Sequence, residues 1–224
     1  MERSAFRAAL TATVPVMTGY FCLGFAYGLL MVSQGFSPLW PVLMSLVVYG
    51  GSIQFLALSL LGSAFAPAAA FLLSFMVNAR HIFYGLSMLE PYRGTGWARL
   101  PLIALLTDET FSVVSATKAP EGVGEKSYRL WVSVLDYGYW VGATALGALF
   151  GKVVHINTTG MDFALTALFV VLFLEQWKKK ENRFSGAVGI GCATLALAVF
   201  GAENMVIPAM IAILAVLWVR RKRT

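Results

Sequence analysis

Long apolar runs separated by short polar or turn-forming stretches set the pattern of this chain, and they lie near 8–32, 39–61, 66–89, 100–117, 129–150, 161–177, 185–201 and 205–220. A hydrocarbon layer of ~30 Å takes roughly 20 apolar residues per helical crossing, so each run is close to the length of one span. A spanning β-barrel would instead alternate apolar and polar positions over segments of about ten residues. The pattern predicts an all-α, polytopic transmembrane helical bundle of seven or eight spans. The lower count holds if the second segment is re-entrant or the fourth does not span. Residues 1–224 are expected to form a single transmembrane domain, with candidate repeat halves 1–117 and 129–224.

Composition supports this reading, because 58% apolar and only 12% charged residues leave no room for a soluble domain. The first run follows Arg3 and Arg7 but is too long for a signal-peptide core and flows into further spans, so it reads as retained. The net charge of +6 could point to nucleic acid, but the basic residues collect beside apolar segments as cytoplasmic flanks do. The loop from Lys118 to Arg129, the cluster Lys178, Lys179, Lys180 and Arg183, and the tail Arg220, Arg221, Lys222 and Arg223 all fall inside if both termini are cytoplasmic. The loop around Arg93 and Arg99 does not fit, since eight crossings place it outside. Cys22 and Cys192 lie within apolar runs and carry no evident chemistry, and neither a metal-ligand set nor a cofactor motif is visible.

Ionisable and strongly polar side chains inside apolar spans cost roughly 2.5–3.5 kcal/mol each at a helix centre, so they mark a bundle interior or a hydrated pathway. Gly50, Gly51, Ser52 and Gln54 interrupt the second run, either as a broken helix whose free N–H groups can hold a substrate carboxylate or as paired glycines that only permit a close helix crossing. In the third run Ser74, Asn78, His81 and Gly85 form a polar seam at helical spacing, beside a strip of Arg80, Tyr84 and Ser87. The fourth run carries Thr107-Asp108-Glu109-Thr110 at its centre, adjacent acids suited to a proton or cation site or to pairing with Arg80. Asp136 in the fifth run is a weaker candidate of the same kind. Glycines at 19, 24 and 28 recur with the same spacing at 142, 147 and 151, either as an internal repeat or as small residues that let helices pack closely.

The stretches Arg7-Ala8-Ala9-Leu10 leading to Pro15, Val48-Tyr49-Gly50-Gly51-Ser52-Ile53-Gln54-Phe55, Asn78-Ala79-Arg80-His81-Ile82-Phe83-Tyr84-Gly85 and Thr107-Asp108-Glu109-Thr110-Phe111 are similar to those of a known family. Nearly the whole chain resembles the AzlC-type large subunit of the bacterial branched-chain amino acid exporter, the LIV-E family. That resemblance implies export of leucine, isoleucine, valine and related hydrophobic amino acids across the bacterial cytoplasmic (inner) membrane, with a small AzlD-type membrane subunit as partner. On the physical reading, Gly50, Gly51, Ser52, Gln54, Phe55, Asn78, Arg80 and Tyr84 are the expected substrate-binding residues. Asp108 and Glu109, with His81 as second choice, are expected to couple transport to protons.

An intramembrane enzyme is the rival class, since Ser52 and His81 on consecutive spans resemble a nucleophile and base. Ser52 is followed by Ile53, not by the glycine of a Gly-x-Ser-Gly motif, and His81 and His155 form no His-Glu-x-x-His pair. A secondary transporter is the expected function, with a channel or structural membrane subunit as the alternative and an enzyme less favoured than either.

Overall fold

Glycines decide how the two longest helices meet. Helix α1 (Glu2–Ser33) carries Gly24 and Gly28, and α8 (Glu125–Val153) carries Gly147 and Gly151, on the faces they turn to each other. A Cβ at Gly28 would stand 2.2 Å from the Thr144 carbonyl oxygen, and one at Gly147 only 2.0 Å from that of Phe25. The two backbones therefore touch, as small residues permit in membrane helices. Contacts advance together along both helices, from Phe6 on Trp131 through Tyr20 on Trp140 to Val32 on Gly151, so α1 and α8 run parallel.

The computed structural model describes residues 2–61, 67–153, 170, 173–174, 177–178 and 180–221, and among these it is all-helical. They fall into two compact units, Met1–Thr158 and Thr159–Thr224. Between α1 and α8 the first unit holds α2 (Leu39–Val47), α3 (Gly51–Leu61), α4 (Pro67–Asn78), α5 (Arg80–Met88), α6 (Arg99–Ala104) and α7 (Asp108–Ala116).

The second apolar run is broken between α2 and α3, and the chain turns back there. Gln54 Nε2 donates to Ser45 Oγ at 2.9 Å. Nine residues along a continuous helix stand about 13.5 Å apart, beyond the reach of a serine and a glutamine together. Met44 and Phe55 likewise both touch Tyr27 of α1, through a 3.3 Å hydroxyl–sulfur contact and an edge-on ring pair. The tip, Val48 to Gly50, lies deeper, with the Tyr49 ring edge-on to Tyr137. The left-handed turn falls on Tyr49 (φ 43°), not on a glycine. For a side chain with a Cβ that costs roughly 1–2 kcal/mol. The glycines instead give room: a Cβ at Gly50 would meet Ile53 at 2.8 Å, and one at Gly51 the Trp140 ring at 3.0 Å.

The fourth run folds back in the same way from the opposite end. Pro91, which precedes it, accepts a hydrogen bond from Arg129, and Thr117, which ends it, bonds the Tyr128 hydroxyl. Both ends thus sit at the start of α8, while the tip reaches Asp136 through Thr110. Between the two hairpins α4 and α5 run through from one end of the unit to the other, with Arg80 halfway and Met88 in the apolar cluster of Ala9, Tyr92, Leu102, Val114, Tyr128 and Val132. A through-running helix followed by a half-way hairpin therefore occurs twice, in residues 2–61 and 67–116, in opposite directions. Of the glycines that share a spacing in α1 and α8, Gly24, Gly28, Gly147 and Gly151 serve the mutual packing of the two helices, whereas Gly19 and Gly142 meet open space.

In the second unit α9 (Arg183–Asn204) and α10 (Val206–Arg221) pair antiparallel, with the Arg220 guanidinium 3.7 Å above the Phe184 ring. Gly201 (φ 74°) kinks α9 near its end. Most of the run 161–177 and the tail residues Lys222 and Arg223 lie outside the described residues. By length and apolarity alone, two described stretches, Arg3–Ser33 and Arg183–Gly201, suffice for a crossing. The two hairpins fail that test because each is split in half.

Replacing Gly147 by Ala is expected to lower stability by about 1–3 kcal/mol through overpacking against the Phe25 carbonyl. Gly142→Ala, which meets open space, should leave the melting temperature in detergent unchanged or slightly raised. Equal Tm values for the two variants would contradict the backbone contact.

Candidate transport site

The half-helices α3, α5 and α7 all begin near the middle of the first unit, and their first residues meet. Arg80 Nη1 pairs with Asp108 Oδ2 at 2.7 Å, and Nη2 donates to Ser52 Oγ at 2.9 Å. Arg80 and Asp108 keep 43% and 31% side-chain exposure, so the pair is open to one side, and Asp108 Oδ1 has no hydrogen-bond partner. Helix N-termini present unpaired N–H groups and a positive dipole end, which suits anions. The cap of α7 is Thr107, whose hydroxyl accepts the Thr110 N–H at 3.2 Å. Asp108 and Glu109 thus occupy the first turn, where a negative charge complements the dipole, and Asp108 is free to reach Arg80.

Behind this opening lies a buried polar layer. Gln54 is fully enclosed, with its amide spent on both sides: Nε2 donates to Ser45, and Oε1 accepts from Trp140 Nε1 at 2.8 Å. Ser45 Oγ in turn donates to Thr144 Oγ1 at 3.0 Å. Gln54 therefore holds the break shut against α8. Tyr137 covers one carbonyl at the end of α2, donating to that of Leu46 at 2.8 Å.

A second string joins α1, α7 and α8. The Tyr20 hydroxyl donates to Glu109 Oε2 at 2.7 Å and lies 2.9 Å from Thr107 Oγ1. Thr107 and Thr110 hydroxyls stand 3.1 Å apart, and Thr110 donates to Asp136 Oδ2 at 2.8 Å. Asp136 is wholly buried, and its Oδ1 has no hydrogen-bond partner.

The structure thus gathers Ser52, Arg80 and Asp108 in direct contact, with Gly50, Gly51 and Glu109 beside them. Phe55 is buried against Tyr27, and Tyr84 stacks on Phe111 at 4.5 Å. His81 and Asn78 are placed differently. His81 Nδ1 lies 3.2 Å from the Asn78 carbonyl at the end of α4 and its ring stands edge-on to Tyr84, and Asn78 lines a shallow groove of about 240 Å³ with Phe71, Ser74, Phe75, Ala79 and Ile82. Tyr20, Tyr49, Thr107, Thr110 and Trp140 were not legible as site residues, because threonine and aromatic side chains are ordinary inside apolar runs. One signal was present: Thr107 followed by two acids inside an apolar run reads as an N-cap and first turn, hence a break.

Replacing Gln54 by Leu is expected to cost about 1–3 kcal/mol, since it strands the Trp140 N–H and removes the donor to Ser45. Thermal melting in detergent checks it, and an unchanged Tm would contradict the role assigned to this amide.

Residues 15–154 match the AzlC protein family. The chain is 45% identical over 219 residues to the branched-chain amino acid transport protein AzlC of Bacillus subtilis (strain 168), covering 98% of this chain and 86% of that one. It is 40% identical over 217 residues to an uncharacterized membrane protein of Haemophilus influenzae, covering 96% and 89%. Inner membrane protein YgaZ of Escherichia coli is 26% identical over 200 residues, covering 84% and 80%. No solved structure matches. A family match over more than half of the chain, with such identity across almost its full length, places this all-helical membrane protein in the AzlC family.

Proposed function

We propose that this chain is the pathway-forming subunit of a secondary transporter that exports branched-chain and other hydrophobic amino acids, driven by the proton gradient. The observation that carries the reading is the Arg80–Asp108–Ser52 contact, where two opposed hairpin tips meet halfway through a body with an apolar outer surface. An amino-acid zwitterion matches this place. Its carboxylate meets Arg80 or the free amides at the start of α3, its ammonium meets Asp108 or Glu109, and its side chain rests on Tyr84 and Phe111. The name of the Bacillus subtilis relative supports the substrate class. A small AzlD-type membrane subunit completes the transporter, and residues 1–224 act as one transmembrane domain in the bacterial inner membrane.

The hairpins also suggest a topology. With the N-terminus in the cytoplasm, α1 crosses outward, the α2–α3 hairpin enters from outside, and α4 with α5 returns. The α6–α7 hairpin then enters from inside, and α8 crosses outward. Arg93 and Arg99 now fall inside with the Lys118–Arg129 loop, which removes the misfit of the eight-span count. If 161–177, α9 and α10 each cross, the total is six, with both termini cytoplasmic.

Export of leucine after a dipeptide load, measured in cells with and without this chain and its small neighbour, tests direction and substrate together. Arg80→Ala, Asp108→Asn and Glu109→Gln at equal membrane abundance should each slow export roughly tenfold or more, ~1.4 kcal/mol. His81→Ala should slow it less, because its ring meets the Asn78 carbonyl and Tyr84 and not the charged pair. Wild-type rates in all four would overturn the reading. Tags in the Arg93–Thr95 loop and at the C-terminus should react only from the cytoplasm, and periplasmic labelling of the loop would rule out the six-crossing topology.

A further inference from the structure

We infer that Asp136 and Glu109 share one proton through a relay of the Thr110, Thr107 and Tyr20 hydroxyls, and that this relay is the coupling element of the transporter. The inference rests on the proton-driven reading above and moves its centre from the open Arg80–Asp108 pair to the buried string behind it.

The string holds too few hydrogens if both of its carboxyls are ionised. Five oxygens lie in series: Asp136 Oδ2, Thr110 Oγ1, Thr107 Oγ1, the Tyr20 hydroxyl and Glu109 Oε2. The four gaps between them measure 2.8, 3.1, 2.9 and 2.7 Å, each a hydrogen-bond distance. Three hydroxyls bring three hydrogens. If both carboxyls were ionised, Thr110 and Tyr20 would donate to them, and Thr107 could fill only one of the two remaining gaps. The other gap would hold two oxygens facing each other without a hydrogen, in a place closed to water. One added proton on either carboxyl fills all four gaps.

That proton has two end positions. With Asp136 protonated, every hydrogen bond in the string points toward Glu109; with Glu109 protonated, every one points toward Asp136. In passing from the first to the second, the Asp136 O–H bond breaks. Each hydroxyl accepts one hydrogen and passes its own to the next oxygen, and Glu109 gains an O–H bond. The negative charge moves the opposite way, and nothing is oxidised or reduced.

The surroundings favour a single proton over none. Asp136, Thr110, Thr107 and Tyr20 are all buried, whereas Glu109 is half-buried and borders the open Arg80–Asp108 pair. From α7 the charged group facing Asp136 is Glu109, itself an acid, and the nearest cation of the site, Arg80, is taken by Asp108. From the hairpin tip comes Tyr49, an uncharged phenol buried beside Tyr20 and Thr110, and Asp136 Oδ1 has no hydrogen-bond partner. Two ionised acids in such an interior repel each other with little to offset the loss of hydration. The string thus links a buried carboxyl to one beside the substrate position, as coupling a proton to a solute requires.

The test uses the full-length chain with its small partner in vesicles. Leucine flux driven by a proton gradient should fall roughly a hundredfold in Asp136→Asn and in Thr110→Val, the low end of what a positioned proton carrier contributes. Exchange of leucine for leucine, which needs no net proton movement, should fall far less. Thr110→Ser, which restores the hydroxyl, should recover most of the driven flux, whereas a purely structural role would depress flux and exchange together. Infrared spectra of the purified protein at neutral pH should show a protonated carboxyl that is lost in Asp136→Asn and shifted in Thr110→Val. Absence of that band, or wild-type driven flux in Thr110→Val, overturns the relay. A vesicle preparation that shows the band but no leucine exchange overturns the transport reading and leaves the shared proton standing.

Discussion

The backbone contact between α1 and α8 at Gly28 and Gly147 is the constraint on which the first unit depends. In lipid no hydrophobic force drives one helix onto another, so close van der Waals approach and interhelical hydrogen bonds must hold them. Once paired, the two helices offer a continuous row of partners. Tyr137, Trp140 and Thr144 of α8 reach Leu46, Gln54 and Ser45, while Tyr20 and Tyr27 of α1 reach Thr107, Glu109, Met44 and Phe55. Both hairpins are fastened to this pair.

That fastening explains how half-helices persist. A helix that stops halfway leaves N–H and C=O groups unpaired, which is tolerated at membrane depth only where protein or a hydrated cavity surrounds them. Tyr137 covers one carbonyl at the end of α2, Thr107 covers one N–H at the start of α7, and the amide of Gln54 ties α2 and α3 to α8. The strain of Tyr49 is held by its burial beneath Tyr137. The ends not covered face Arg80, Asp108 and Ser52, so the incomplete satisfaction of the backbone and the candidate site are the same feature.

The distribution of polarity follows the same logic. Large apolar side chains such as Phe71, Phe83, Leu100 and Trp218 lie on the outside, while Thr13, Ser45, Gln54, Thr110, Ser133, Asp136 and Thr144 are buried. Such an arrangement is unstable in water and stable in hydrocarbon, where buried polar groups bond one another and the apolar exterior meets lipid.

The sequence by itself determined the helical class, the apolar runs, the interruption at Gly50 and the cost of placing Arg80 and Asp108 inside apolar runs, because each rests on local chemistry. An ionisable group in a twenty-residue apolar run is expensive whatever surrounds it, and adjacent glycines weaken a helix wherever they occur. The reversal of the chain at Tyr49 and at Thr107, the meaning of the glycine spacing in α1 and α8, and the joining of Tyr20, Thr107, Thr110 and Asp136 into one string were decided only by the tertiary structure. A break tells where a helix stops but not in which direction the next one leaves. A threonine or tyrosine in an apolar run is unremarkable until folding brings another oxygen within 3 Å of it. Those outcomes depend on which helices pack together, and the information is spread over residues more than a hundred positions apart, such as Phe25 and Gly147.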